Sequence, residues 1–463
     1  MNRSTCWEVP DADYEECLVE IGSFLRRTGL CDDDEEVNPP KSTEELDSIM
    51  DSKSVLSAIF NRAVSVGRQH ALRVLGRDIV DAFVTAGFLE PRETLLVPKV
   101  SCSKWHDLFI FADPPTYRGK DVVYTFTQTT ETLDKLILPQ AAQHAVDLGS
   151  GSGALSLRLA DKATRVTAID INPRAVALTR ANCIMNGKTN VDVRVGEMFA
   201  PIDGEKVDMI VGNLPFVLSP DQDYLYRDGD RPSEQLIEDA IKGADAVLAP
   251  GGTAQFLCEW PIRNDPPEAL RVWTRDCECD VVAIAYTFFN PSDHSKGWLH
   301  HYEQEDRAEY VRSLTRWLDW FKGEEILKVG YGALTLRKTD RVDREFKYFE
   351  AAKYPSSKGG DQISRILASK NIDFSLKEMS DVCPYLVPHE LYQRLDHNGQ
   401  VYISRPAELV SKDSAGVTMS IEPEIFPLLM AIDGKTNFRD LLQITTKAPQ
   451  SLRELVSRGF LQI

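Results

Sequence analysis

Several things are scarce in this chain, and each scarcity removes a class of function. No stretch approaches the run of about 20 apolar residues that a membrane-spanning helix needs. The first residues, from Met1 to Glu16, lack the apolar region of a secretory signal. A cytoplasmic protein without membrane contact is therefore expected. The nine cysteines are scattered and include no Cys-x-x-Cys pair, which argues against a disulfide framework and for free thiols. Histidines are few, and the three in the stretch from Asn290 to Tyr302, read as a loop, are His294, His300 and His301. They lack the spacing of a helical zinc motif, so no metal site is expected. Positive charge is also short: 53 Lys and Arg face 71 Asp and Glu, a net charge of -18. Tracking a phosphate backbone needs a basic groove, so a peptide, protein or small molecule is the favoured partner and nucleic acid the less favoured one. Arg62, Arg68, Arg73 and Arg77 form a local basic cluster that runs against this.

What is present is concentrated between His144 and Phe216. His144 to Leu148 reads as a short apolar strand, and Gly149-Ser150-Gly151-Ser152-Gly153 follows at once, leading into a helix from Ala154 to Ala160. Glycines there let the chain turn sharply and let a ligand lie on bare backbone near a helix N-terminus. A second strand, Arg165 to Ile169, ends in Asp170, 21 residues after Gly149. That spacing puts a carboxylate at the neighbouring strand's carboxyl edge, where it can accept ribose hydroxyls. The glycines fall at 149, 151 and 153 rather than in the GxGxxG order of a dinucleotide site, and the turn opens with Asp147.

Asp147 to Gly153 resembles the D/E-x-G-x-G-x-G motif of class I S-adenosylmethionine-dependent methyltransferases. The resemblance implies S-adenosyl-L-methionine as cofactor, with Asp147, Gly149, Ser150, Gly151 and Gly153 at its methionyl end. Asp170 would then hold the ribose, with Ile171 beside it among the cofactor-binding residues, and Glu197 and Met198, after a third strand Val191 to Val195, would line the adenine. As a bare residue, Glu197 reads equally well as a solvated loop acid.

A fourth strand, Val207 to Val211, runs into Asn213-Leu214-Pro215-Phe216. This edge is similar to the N/D-P-P-Y/F motif of amino-nitrogen methyltransferases, especially the glutamine-amide and nucleic-acid base enzymes, with Leu in place of the first proline. An sp² NH₂ group offers two in-plane hydrogens. The Asn213 carboxamide oxygen and the Leu214 carbonyl can accept them while Phe216 stacks on the flat group, and Pro215 stiffens the edge. No strong base is needed, because proximity and preorganised dipoles suffice once the nitrogen is held in line with a methyl donor. The resemblance implies that Asn213 borders the cofactor as well. The bland alternative is a turn that the proline ends.

Around this edge, Tyr224, Tyr226 and Arg227 in a Pro/Asp/Gly-rich loop, with Glu259 and Trp260 at the end of the strand Thr253 to Cys258, are candidates for touching the acceptor. Thr129 is a further candidate, and a helix N-cap explains it and Thr130 as well. A helix Ser233 to Leu248, strands Asp280 to Phe288 and Gly332 to Arg337, and a helix Ala308 to Phe321 complete the expected α/β architecture. It is a seven-stranded Rossmann-like methyltransferase sheet with its last strand antiparallel.

The length of 463 residues predicts two or three domains. They are read as a separate helical N-terminal domain over 1–115, a methyltransferase domain over 116–340 and a winged-helix-like C-terminal domain over 341–463. In the last, Pro384 to Leu395 and Phe438 to Thr445 read as helices. The ending Leu452 to Leu461 echoes Ile79 to Leu89, both helical runs into Gly-Phe-Leu. These flanks resemble those of a group of bacterial methyltransferases. Three functions follow: N-methylation of a peptide, protein or small molecule; amino-methylation of RNA or DNA; or a non-catalytic interaction protein on a methyltransferase core. O-methylation stays open.

Overall fold

A computed structural model of the protein describes residues 12–30, 49, 51–221, 227, 229, 232–372, 379–392, 395–397, 402–404 and 406–462. The fold is α/β, and the chain divides into two compact units. The first takes Met1–Thr130, Ala141–Pro215 and Asp221–Arg231; the second takes Glu131–Gln140, Phe216–Pro220 and Pro232–Ile463.

The first unit opens with helices Ala12–Thr28 and Ser52–Phe60, then strand β1 (Val66–Gly67), helices Arg68–Val74 and Arg77–Thr85, and strands β2 (Leu89–Arg92) and β3 (Leu95–Pro98). β3 lies between β1 and β2 and is antiparallel to both. A hairpin of β4 (Ser101–Trp105) and β5 (Leu108–Ala112) follows. The segment is thus helical with a small sheet added, and its strands are too short to leave a period in the sequence. Helix Arg77–Thr85 stops where Gly87 turns to φ 72°. There Phe88 N–H donates to Phe83 O at 2.9 Å and Gly87 N–H to Val84 O at 3.0 Å, a Schellman ending.

These N-terminal residues do not stand apart, contrary to the expectation of a separate domain. Leu18, Ile21, Leu25, Phe60, Phe83, Phe88 and Phe111 share one buried cluster with Ala175, Leu178, Ala181 and Met185 of helix Pro173–Met185. The approach is close enough that a Cβ on Gly22 would fall 2.0 Å from the Met185 carbonyl oxygen.

Four strands in this unit, β6 (Ala142–Leu148), β7 (Ala163–Asp170), β8 (Val191–Val195) and β9 (Val207–Gly212), pair in parallel in the order β9-β6-β7-β8. Their β-branched residues suit a pleated surface, and the near-continuous burial of β6 and β9 is that of strands covered on both faces. Helices Ala154–Leu159 and Pro173–Met185 form the crossovers.

In the second unit β10 (Leu248–Ile262), β11 (Cys279–Phe289), β12 (Lys328–Lys338) and β13 (Phe346–Glu350) pair in the order β13-β11-β12-β10. β12 is antiparallel to β10 and β11, whereas β13, which the sequence reading did not place, is parallel to β11. The stretch read as a loop from Asn290 is instead the start of helix Pro291–Glu305. Pro291 fits a first helical position, and the Asn290 side-chain oxygen accepts from Asp293 N–H at 2.9 Å, a local cap that outweighs the polar composition.

The remaining strands are β14 (Tyr385–Leu386), β15 (His389–Tyr392), β16 (Leu395–His397), β17 (Tyr402–Ser404), β18 (Ala407–Ser411), β19 (Thr418–Ile421) and β20 (Leu461–Gln462). The helix expected over Pro384 to Leu395 is therefore replaced by strands. β14, between Pro384 and Pro388, pairs with β20, and β15 pairs with β18. Helices Phe426–Ala431, Phe438–Leu441 and Ala448–Ser457 precede β20, so the Phe438 helix is shorter than expected. Gly459 repeats the Schellman ending of Gly87, with φ 73° and Phe460 N–H donating to Leu455 O at 2.8 Å. The sequence echo is thus an echo of hydrogen bonding. No helix among the described residues is long and apolar enough to cross a membrane.

Candidate active site

Within the first unit, strand register brings the polar candidates to one edge. Leu148 pairs with Gly212 and with Ile169, and Asp170 pairs with Val195, so β6, β7, β8 and β9 release their chains side by side at their carboxyl ends. In open parallel sheets that edge is where ligands bind. The segments leaving it are Gly149 to Gly153, Asp170 to Asn172, Gly196 to Met198, and Asn213 to Pro215.

The glycine turn is built by backbone hydrogen bonds. Gly149 and Ser150 N–H both donate to Ile169 O, at 2.8 and 3.0 Å, and Gly153 N–H closes onto Ser150 O at 2.7 Å. Gly153 sits at φ 82°, where an added Cβ would press to 2.8 Å from the Thr179 side chain. Gly151, at φ 57°, has nothing within 4 Å of where its Cβ would be. The turn is thus closed on its protein side and open at Gly151. The Ser150 hydroxyl faces Thr179 at 3.3 Å, and the Ser152 hydroxyl donates to Thr125 O.

Asp170 fixes this turn. Its Oδ2 accepts from Gly151 N–H at 2.8 Å and its Oδ1 from Asn172 N–H at 2.8 Å. Each oxygen keeps further accepting capacity, so ribose hydroxyls can be added without breaking the turn. Burial raises its pKa against the opposing pull of these backbone donors. Asp147 is fully buried, its Oδ2 accepts from the Ser156 hydroxyl at 2.5 Å, and its Oδ1 has no hydrogen-bond partner among the described residues. Burial pushes this carboxyl up to about 7, with Ser156 pulling it down and Asp170 adding to the rise. A buried acceptor without a partner costs about 1–3 kcal/mol, and a ligand ammonium would relieve that cost.

Beyond Asp170, Ile171 and Val195 are exposed apolar side chains at the strand ends. Met198 stands at φ 49°, a left-handed conformation that a side chain of its size rarely takes. Glu197 beside it is exposed. Val195 and Ser156 were missed by the sequence reading. An apolar residue ending a strand beside Asp170 was the available signal for Val195, and nothing marked Ser156.

Asn213 follows β9 directly. Its Nδ2 donates to Thr129 Oγ1 at 3.1 Å and Thr130 Oγ1 at 3.4 Å, while its Oδ1 is buried and has no partner among the described residues. The Leu214 side chain packs under the turn, 3.0 Å from where a Gly149 Cβ would stand. Thr129 and Thr130, open to a capping explanation, therefore meet the tetrapeptide. Arg227 is buried, its guanidinium 3.8 Å from the Asp221 carboxylate. Tyr224 and Tyr226 lie outside the described residues.

The second unit holds the other candidates. Phe216 is buried, its ring centroid 5.7 Å from that of Tyr331. Glu259 is buried and accepts at Oε2 from Leu218 N–H and His294 Nε2, both at 2.8 Å. That makes it an anchor for the chain just beyond the tetrapeptide. Trp260, expected at the rim, is a packing residue instead. Its indole N–H donates to Pro266 O at 2.7 Å, and its ring would meet a Gly330 Cβ at 2.4 Å. A strand-end tryptophan buried on a glycine gives no sequence signal that separates it from a contact residue.

Residues 124–263 match the family model of the Methyltransferase small domain. The chain is 29% identical over 163 residues to a release factor glutamine methyltransferase from Koribacter versatilis, covering 31% of this chain and 58% of that protein. It is 41% identical over 75 residues to one from Fusobacterium nucleatum, covering 16% of this chain and 21% of the relative. The chain thus spans less than two thirds of the length of these curated relatives. A solved ribosomal protein L11 methylase from Lactobacillus delbrueckii overlaps 32% of this chain and 64% of its own, at 21% identity and a TM-score of 0.24. The strand-end geometry and the match over residues 124–263 together make this part of the chain a methyltransferase small domain of the class I S-adenosylmethionine-dependent kind, similar to those of glutamine methyltransferases.

Proposed function

We propose that the protein is an S-adenosylmethionine-dependent methyltransferase that methylates a primary amide nitrogen, with the side chain of a glutamine in a protein as acceptor. The observation that carries this reading is the Asn213 carboxamide, whose two hydrogens are taken by threonine hydroxyls while its buried oxygen accepts nothing. Such an oxygen suits an incoming N–H. The Leu214 carbonyl supplies the second in-plane acceptor that an NH₂ group needs. Similarity to release factor glutamine methyltransferases supports amide over amine, and protein over small molecule. A net charge of -18 favours a protein over a nucleic acid.

The residues present fit the cofactor. Asp147 offers an unpartnered acceptor for its ammonium, Gly151 an open backbone face, and Asp170 two oxygens for the ribose hydroxyls. Glu197, Met198, Ile171 and Val195 would take the adenine. When bound, S-adenosylmethionine supplies an electrophilic methyl on sulfur. Asn213 and Leu214 would accept the two amide hydrogens and hold the nitrogen as a positioned neutral group facing that methyl. Of the flanking segments, we read the C-terminal domain, 341–463, as winged-helix-like, a module for gripping the protein acceptor.

Calorimetry with S-adenosylmethionine and with NAD tests the cofactor, and binding of NAD alone would end the assignment. Incubating cell extract with methyl-labelled cofactor and locating the added mass by fragmentation tests the acceptor. The expected product carries the methyl on a glutamine side-chain nitrogen; a methyl on oxygen or carbon contradicts the geometry.

A further inference from the structure

We infer that Thr129 and Thr130 are positioning residues for Asn213, whose hydroxyls hold both amide hydrogens and thereby turn the carboxamide oxygen toward the acceptor. The inference rests on the amide-nitrogen reading above and goes beyond it, because it says what sets the orientation of that amide.

A carboxamide can present either its oxygen or its NH₂, and the two orientations have opposite functions. The turn before helix Gln128–Leu136 decides between them. Thr127 N–H donates to Thr130 Oγ1 at 3.2 Å, and Thr130 N–H donates back to Thr127 Oγ1 at 3.4 Å, the reciprocal pattern of a capping box. The Thr127 hydroxyl lies 2.7 Å from that of Thr129 and 3.2 Å from that of Thr130. Counting lone pairs gives the direction of donation. Thr130 Oγ1 accepts from Thr127 N–H and from Asn213 Nδ2, which fills it, so its own hydrogen goes to Thr127. Thr127 then donates to Thr129, and Thr129 Oγ1 accepts this together with the second Asn213 hydrogen.

With the amide reversed, the two hydroxyls would have to donate to the Asn213 oxygen, and an NH₂ with two hydrogens would be left buried without acceptors. One unpartnered oxygen costs less than two unpartnered N–H groups. The capping box thus serves the reaction as well as the helix. It fixes Thr130 from two sides and presents an acceptor, rather than a donor, to a substrate NH₂.

The test uses the full-length protein, ¹⁵N-labelled and saturated with S-adenosylmethionine. Hydrogen exchange of the Asn213 side-chain amide is compared in wild type, Thr130→Ser, Thr130→Val and the Thr129→Val/Thr130→Val double variant. Loss of both acceptors should speed that exchange about 10-fold, the scale of one or two hydrogen bonds. Thr130→Ser, which keeps the hydroxyl, should leave it as in wild type, and an unchanged backbone amide spectrum shows that each variant is folded. In parallel, transfer of labelled methyl to N-acetylglutamine methylamide should fall in the double variant with KM and cofactor affinity unchanged. Exchange that is the same in the double variant as in wild type overturns the inference. Exchange that responds as expected in an enzyme that never labels the amide probe keeps the threonines as holders of Asn213 and removes the acceptor reading instead.

Discussion

Two sets of buried polar side chains in this molecule differ in one respect. In the second unit, Gln255 accepts from Leu138 N–H and donates to Leu136 O and Thr335 Oγ1. Gln362 there donates to Val417 O and Arg458 O and accepts from Ala415 N–H and the Ser414 hydroxyl. Both amides are spent on the fold. At the strand ends of the first unit, Asp147 and Asn213 each keep one buried oxygen with no partner among the described residues. Burial without a partner is unfavourable, and among the described residues His70, His294 Nδ1, the Tyr348 hydroxyl and Arg365 Nη2 share it; Asp147 and Asn213 differ from these in lying at the carboxyl ends of parallel strands, where open sheets bind ligands. On the proposed function the contrast separates polar groups that stabilise from polar groups that take up a ligand, and mutation should divide them in the same way.

The largest effect expected is on stability. Gln362→Leu removes both donors and the acceptor and takes this partner from two carbonyls, an N–H and the Ser414 hydroxyl, a loss of about 4 kcal/mol or more at roughly 1–3 kcal/mol per stranded group. Chemical denaturation measures it, and cofactor affinity of the folded variant should not move. A variant as stable as wild type would break the distinction from its first side.

Asp147 tests the other side through pH. Its carboxyl is raised to about 7 in the folded protein, above its unfolded value, so its charge opposes folding. The stability it contributes while protonated is lost as pH rises from about 4 to about 7. A cofactor ammonium prefers the ionised form. Calorimetric affinity for S-adenosylmethionine should therefore fall about 10-fold per pH unit below 7 in wild type and be flat in Asp147→Asn. A flat wild-type profile would remove Asp147 from the cofactor site. A smaller effect is expected from Asp170→Ala, about 10-fold weaker cofactor binding through lost ribose contacts and a loosened Gly151 turn.

Much of this division was legible in the sequence, for stated reasons. The strand, glycine turn, helix, strand and aspartate order placed Asp147 and Asp170, because parallel-sheet edges and tight turns tolerate few residue types. Asn213 was legible through its proline-bound edge. What escaped depended on contacts made far away in the chain. Trp260 lies over Gly330, some 70 residues later, and no local pattern distinguishes that from a substrate contact. Thr130 looked like a helix cap and is one, yet its second role depends on Asn213, 83 residues on. Short strands such as β14 and β20 have no period to read, and the helix from Pro291 was hidden by polar residues whose Asn290 cap was the overlooked sign.

The most direct test of the central claim is to make Asn213→Ala and measure three quantities on the same preparation: unfolding free energy, affinity for S-adenosylmethionine, and rate of methyl transfer to the acceptor. If the unpartnered oxygen exists for the substrate, stability should change by no more than about 1 kcal/mol and cofactor affinity should hold. The transfer rate should fall about 100-fold or more, as for the loss of a preorganised polar contact. A variant that is severely destabilised but, where folded, turns over at the wild-type rate would show that Asn213 belongs with Gln362 and that its tetrapeptide is a structural turn.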